Sequence, residues 1–437
     1  MSAQEPPARS GMLAPLRVRE FRLLFIGLVA GQAMMPLQFV SQIFWVQTNA
    51  SVDSRVLLVG AIATVRGAGM LLLGLYGGAL ADRFNRRRLL IVTQSAVIPV
   101  NLLIALVMLV SPANGLGLTI FFALTFVTAG LSAIDAPTRQ ALVPDLLGPR
   151  LTPGGISLDA AGMQIAMPVS LFAAGFLAAA FGFAGAYAFG VIGNVVQVVT
   201  LLLMSSAATA RPALRSSSGL RQTVRDVRDG IAYTRGNRTV FWVIVLVLVM
   251  TGLGTPAVAN LGPTWITTVV DVPVRNFGLV AATWGIGAFL ASITLARFAE
   301  FERRGLVIAF GSIAFSLSFL VFAGGTVPTA VIGNFGLGAA LAATNISATA
   351  LIQHLVPNEV RGRVMSILLV SRGLAQLVTL PLAALGGVIS LRTLFPSLAL
   401  VVLALTMLIV VVQPSVRRAR IVPGREPAQT PSARRAG

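Results

Sequence analysis

Twelve long apolar runs dominate this chain of 437 residues, and they limit what it can fold into. They lie near 23–47, 56–81, 89–110, 116–136, 156–180, 182–207, 240–269, 277–299, 305–324, 327–353, 364–389 and 392–413. A helix that crosses a bilayer needs about 20 mostly apolar residues. A membrane β-barrel would instead show stretches of about ten residues with alternating polarity. Here the runs are longer and continuously apolar, so the expected class is an all-α membrane protein. Only 11% of the residues are charged, less than half the usual share of a soluble chain, about 25%. A soluble fold is excluded.

Basic residues punctuate these runs. All 33 are arginine, and the formal net charge is +19. In a soluble protein that charge would point to nucleic acid. Clustered between apolar runs, it reads instead as an orientation signal, with no nucleic-acid partner. Twelve spans put both termini on one side. The tails, the even-to-odd loops and the central loop hold 28 arginines, against Arg55, Arg275 and Arg392 on the other side. Both termini are therefore expected in the cytoplasm, with the chain multi-pass in the cell membrane. The first apolar run is too long for a cleavable signal peptide and shows no small-residue cleavage site.

The longest polar stretch separates two sets of six spans. The expected organisation is a disordered tail (1–16), a six-helix bundle (17–207), a central cytoplasmic loop (208–239), a second bundle (240–413) and a second disordered tail (414–437). An offset of 213 places Gln140-Ala-Leu-Val-Pro144-Asp145 on Gln353-His-Leu-Val-Pro357-Asn358, with four identities in six. Pro168 then falls on Pro381, and Asp159 on Arg372. A parallel repeat of this kind predicts two pseudo-symmetric bundles with a substrate site near the midplane between them.

Several chemistries are excluded. Without cysteine there is no disulfide, thiolate metal site or thiol nucleophile. The single histidine, His354, makes imidazole metal clusters and histidine triads improbable, and its place at a helix end reads as solvated or capping. A phosphate-binding loop needs a lysine that the chain lacks, so ATP hydrolysis by this chain is out. No cofactor, metal or catalytic residue is expected, and the chain is not read as an enzyme.

The loop after the second run reads Gly78-Ala-Leu80-Ala-Asp82-Arg83-Phe-Asn85-Arg86-Arg87-Arg88. It resembles the G-x-L-A-D-R-x-G-R-R signature of the major facilitator superfamily, in the expected place between spans two and three. Asn85 stands where that pattern has glycine, and Asn tolerates a left-handed turn better than most residues. Two further segments look like one branch of that family, the exporters related to enterobactin and macrolide efflux proteins. They are Gly130-Leu-Ser-Ala-Ile-Asp135-Ala-Pro137-Thr-Arg139-Gln-Ala-Leu-Val-Pro144-Asp145 and Gln353-His-Leu-Val-Pro357-Asn-Glu-Val-Arg361-Gly362-Arg363. The resemblance covers roughly 17–413.

The resemblance implies twelve transmembrane helices in two six-helix bundles, working as a monomer. It also implies export of small molecules, usually in exchange for protons. It gives Gly78, Asp82, Arg83 and Arg86 a role in locking the cytoplasmic side. The chain departs from the branch at Gln32, which follows Gly31 where an aspartate is common, and at Gln164, where span five often carries arginine. Those departures keep an uncoupled facilitator open beside a proton antiporter, and a non-transporting receptor of the same fold is a third reading.

Ionisable groups inside a membrane are costly and are functional candidates by default. Arg66 sits roughly 22 Å from the cytoplasmic end of its span at the usual helical rise. It either attracts an anionic substrate or pairs with helix carbonyls and snorkels outward. Asp159 and Arg372 either pair across a cytoplasmic gate or hold local partners. Asp159 is the first candidate for carrying a coupling proton and Asp135 the second. Gln32, Gln38, Gln42, Asn260 and Asn345 are candidate cavity-lining groups, with interhelical hydrogen bonding as the alternative. Trp265 and Trp284 are candidate ring contacts.

Overall fold

In a computed structural model the described residues are 13–111, 115–205, 220–298 and 301–421; the side chains at 75–79, 81–83, 220–227, 358–359, 366, 369–370 and 372 also lie outside the description. Among the described residues the secondary structure is helical, with no strand. After a short 3-10 turn, Ala14–Arg17, come α1 (Arg19–Asn49), α2 (Arg55–Arg83), α3 (Arg86–Val110), α4 (Gly115–Phe189), α5 (Val191–Leu203) and α6 (Leu220–Gly236). The chain continues with α7 (Arg238–Val249), two π turns (Met250–Gly254 and Pro256–Leu261), α8 (Gly262–Thr268), α9 (Val274–Arg297) and α10 (Arg304–Phe322). Then follow α11 (Val327–Leu355), α12 (Asn358–Ile389), α13 (Leu391–Val412) and α14 (Pro414–Arg417).

Nine helical stretches among the described residues are long and apolar enough to cross a membrane. One of them, Gly115–Leu203, is 89 residues long. At 1.5 Å per residue a straight helix of that length would reach about 130 Å, far beyond a bilayer. The chain avoids this by breaking at Gly148 (φ 66°) and Gly182 (φ 69°). Glycine adopts that left-handed backbone without a Cβ clash.

Local signals set other boundaries. Asn85 accepts a hydrogen bond from the Arg88 amide and caps α3, with φ −59° and ψ 118°. The left-handed turn expected at Asn85 is therefore corrected. Its side chain satisfies one of the free amides of a helix start instead. Asn237 caps α7 in the same way, and Thr326 caps α11 through a reciprocal bond with Thr329.

Three apolar clusters form the core. One holds Phe21, Leu24, Leu90, Leu142 and Leu201, at the end of the molecule where α1 begins and α5 finishes. A second holds Val240, Ile308, Leu351, Val364 and Val410, at the corresponding end of the later helices. The largest joins both sets of helices at the opposite end, running from Phe44 and Trp45 to Trp265, Phe277 and Phe395. We call the first end the tail face and the other the far face. The molecule is thus fused at the far face and divided at the tail face.

Glycines make that fusion tight. On α2, Gly60 meets Ala383, and Gly67 meets Gln376 of α12. On α9, Gly278 meets the Phe172 carbonyl and Gly285 meets Pro168 of α4. Each pair is seven residues apart, or two turns, so both glycines of a pair share a helix face. Small residues there let the backbones approach closely.

Three expectations from composition change. Polar loop 208–239 contains α6, whose Asp229 lies 3.6 Å from Arg363 of α12. The end of the first tail forms the turn Ala14–Arg17 with Pro15 buried. The start of the second tail is packed rather than disordered. Val416 and Ala419 are buried, and Ile421 donates to the Glu302 carbonyl at 2.9 Å.

Candidate functional site

A cavity of about 350 Å³ lies midway between the faces, at the meeting of both helix sets. One α1 stripe lines it: Gln32, Met35, Pro36, Phe39 and Val40. These positions recur at three and four residues, which is one side of an α-helix. Arg66 of α2 stands over the Phe39 ring, with its guanidinium carbon 5.1 Å from the centroid. Among the described residues Arg66 has no hydrogen bond or ion pair. It is neither tied to helix carbonyls nor directed to the outer surface; it faces the cavity. Among the described residues no acidic side chain lines the same space.

Neutral polar groups supply the rest of the polarity. Asn260, carried on the second π turn, donates to Gln376 Oε1 at 2.7 Å and to Thr379 Oγ1 at 2.8 Å. Gln164 donates to Ser292 at 3.4 Å, and Asn334 to the Val280 carbonyl at 2.9 Å. Met35, Met163 and Met167 give flexible, polarisable walls, and Trp284 and Phe277 give ring surfaces. Among the described residues the site therefore presents one cation, several amides and an adaptable apolar lining.

Gln32, Arg66 and Asn260 thus come together in one cavity. Gln38, Gln42 and Asn345 do not join them. Gln42 donates to Thr125 at 3.2 Å and is 1% exposed, while Gln38 packs on Gly190. Both belong to the α1 face that turns toward α4 and its junction with α5, about 100° from the Phe39 stripe. Asn345 lines a separate small pocket. Trp265 is buried, stacked on Phe395 at 4.4 Å, and donates to the Phe322 carbonyl, which removes it from the ring contacts. Gln376 and Asn334 were not anticipated; each is an amide set inside a long apolar stretch, which is the signal that would have marked them.

The acids take other positions. Asp135 is buried and receives Arg139 Nε at 3.1 Å, Arg139 Nη2 at 3.0 Å and Gln94 Nε2 at 2.9 Å. The chain continues through Asn194 and Asn101 to the Tyr187 hydroxyl. Asp159 is part-buried, and its Oδ1 finds no hydrogen-bond partner among the described residues. Arg86 binds Asp145 at 2.5 Å and the Ala141 carbonyl at 3.0 Å. The surroundings of Gly78 and the side chains of Asp82, Arg83 and Arg372 lie outside the described residues. Among the described residues no group of His, Cys, Asp and Glu could hold a metal ion.

Residues 10–433 match the family described as transmembrane secretion effector. The staphyloferrin A transporter of Staphylococcus aureus (strain NCTC 8325 / PS 47) is 22% identical over 351 residues, which cover 80% of this chain and 86% of that protein. A POT family transporter solved with a thioalcohol-conjugated peptide superimposes with a TM-score of 0.72 at 14% identity, covering 91% of this chain and 96% of its own. A nucleoside transporter gives 0.68 at 12% identity, covering 90% and 98%. These structural likenesses show a shared transporter fold. The match over nearly the whole length carries the family assignment: this chain belongs to the transmembrane secretion effectors of the major facilitator superfamily, multi-pass membrane transporters.

Proposed function

We propose that this protein exports small amphiphilic molecules bearing a negative group, siderophore-like or drug-like, by alternating access across the cell membrane. The observation that carries the reading is Arg66, a cation facing a midplane cavity that no acid lines among the described residues. A guanidinium without a protein counter-charge binds carboxylate, phosphate or sulfonate by charge-assisted hydrogen bonds. The amides orient the rest of the cargo, and the methionines adapt to its shape.

In this reading the chain crosses the bilayer twelve times in two six-helix bundles, residues 17–207 and 240–413, as a monomer. The breaks at Gly148 and Gly182 support this, because they divide Gly115–Leu203 into lengths that fit a bilayer. The arginine bias supports placing the tail face in the cytoplasm. With one core at the far face and two at the tail face, this conformation is read as open to the cytoplasm. Asp159 is assigned the coupling proton, supported by its unpartnered oxygen. Pairing of Asp159 with Arg372, together with the Asp82–Arg83–Arg86 loop, is assigned to closing the tail face.

Flux in proteoliposomes tests the reading. Fluorescent amphiphiles of matched shape, differing only in charge, are loaded with and without a pH gradient. Anionic members should move fastest, the gradient should accelerate them, and Arg66→Gln should erase their advantage. Equal flux of anionic and cationic members would overturn the assignment of Arg66. Flux indifferent to the gradient would leave a facilitator.

A further inference from the structure

The segment that joins α7 to α8 is not regular α-helix. Its two π turns place side chains off the register that an α-helix would give, and such turns are frequent at functional sites. The second turn brings Asn260 to the central cavity. The first brings Thr251 to a different pocket of about 130 Å³, lined also by Asn345 and Thr349 of α11 and by Met365 and Ser371 of α12. The two spaces share no lining residue. Ser371 precedes Gln376 by five positions and Thr251 precedes Asn260 by nine. The smaller pocket therefore lies roughly 8–14 Å closer to the tail face along the same helices.

Its hydrogen-bonding character can be read atom by atom. Thr251 donates its hydroxyl hydrogen to the Val247 carbonyl at 2.7 Å, and Ser371 donates to the Leu368 carbonyl at 2.7 Å. Each hydroxyl has one hydrogen, so both oxygens retain only acceptor capacity for the pocket. Asn345 and Thr349 form no hydrogen bond among the described residues, and each can donate and accept. Among the described residues no charged side chain lines the pocket, and Val247, Ala348, Met365 and Leu368 supply carbon and sulfur surface. The complement of such a lining is a small uncharged group that both donates and accepts: an alcohol or a carboxamide.

We infer that this pocket is a second cargo subsite, specific for a hydroxyl- or carboxamide-bearing portion, on the path between the tail face and the central cavity. The inference rests on the reading of this chain as a transporter of amphiphilic cargo, but not on the role of Arg66. It divides recognition in two, an anion in the central cavity and a neutral hydrogen-bonding group in the side pocket.

Saturation-transfer NMR on the full chain in lipid nanodiscs tests it, with lactamide and lactate as probes. Lactamide should bind, and Asn345→Leu should weaken it about 3- to 10-fold, the worth of one neutral hydrogen bond. Ser371→Ala, a smaller change less prone to disturb the fold, should weaken it in the same direction. Absence of lactamide binding, or binding unchanged in both variants, would reduce the pocket to a solvent-filled recess and overturn the subsite. Lactate binding that Arg66→Gln abolishes reports on the central cavity alone, so the two readings fail separately.

Discussion

Gln47 of α1 donates from Nε2 to Thr264 Oγ1 of α8 at 2.5 Å, and this bond joins the two sets of helices at the far face. Thr267 returns a hydrogen bond to Gln47 Oε1 at 3.1 Å. The Phe44 and Phe277 rings meet edge to face beside it, 5.0 Å apart. Gln47→Leu should lower the ratio of the far-face-closed to the far-face-open conformer about fivefold, since a net hydrogen bond is worth about 1 kcal/mol. Spin labels at Asp53 and Asp271 should show a longer distance component growing in the variant. An unchanged distance distribution would mean that the aromatic packing alone holds the face shut.

The seam of α4 and α9 has no room for a side chain at Gly278. A Cβ there would overlap the Phe172 carbonyl, which is backbone and cannot turn away. Gly278→Val should therefore favour the far-face-open conformer more strongly than Gln47→Leu, by the same distance measurement. Gly252 is a matched control, because a Cβ there meets nothing within 4 Å.

Arg66 and Phe39 should separate in their effects. Arg66→Gln removes the only cation that faces the cavity among the described residues and should raise KM for an anionic cargo about 10- to 100-fold, as expected for a charge-assisted contact worth about 1.5–3 kcal/mol. Phe39→Leu leaves the charge and removes the ring beneath it, an effect of about 0.5–2 kcal/mol. Concentration-dependent flux in proteoliposomes distinguishes the two. Identical KM values for Arg66→Gln and the parent protein would remove Arg66 from cargo binding.

The Asp135–Arg139 pair is structural in the first instance. Both side chains are buried, with Arg139 only 3% exposed. Asp135→Asn leaves that guanidinium without its counter-charge, a change that costs about 3–5 kcal/mol in buried pairs. Thermal unfolding should show a large loss. Replacing both members by neutral residues should recover part of it, because the stranded charge is then gone. A Tm unaffected by Asp135→Asn would contradict the burial of the pair.

Ser390, between α12 and α13, holds φ 69° and ψ 153°. That backbone region is essentially reserved for glycine, and strain of this kind is worth about 1–3 kcal/mol. Ser390→Gly should raise the unfolding temperature without changing flux. Its counterpart break at Gly182 carries φ 69° and ψ 173°, so Gly182→Ala should lower it.

Much of the fold was legible because lipid imposes one rule along the whole chain. Every span must be apolar and internally hydrogen-bonded, so it is visible as a run and its arginine flanks are visible as clusters. The site was legible only in part. Arg66 stood out because charge inside an apolar run is rare. Gln38 and Gln42 stood out for the same reason, yet they face α4, and only the helix phase relative to Phe39 separates them from Gln32. Asp135 drew attention as an acid near a span, but Arg139 lies one turn away on the same helix and closes a bidentate pair with it.

The sequence by itself determined an arginine-flanked, lipid-buried helical chain of this transporter family, with a cationic group set in the middle of one span. Tertiary structure decided which polar groups share a space, because side chains far apart in sequence meet only where helix phases and crossings coincide. It also decided where the breaks and π turns fall, and therefore that Asn260 and Asn345 serve two different cavities. Those outcomes depend on packing between helices, a sum over many partners that no local pattern encodes.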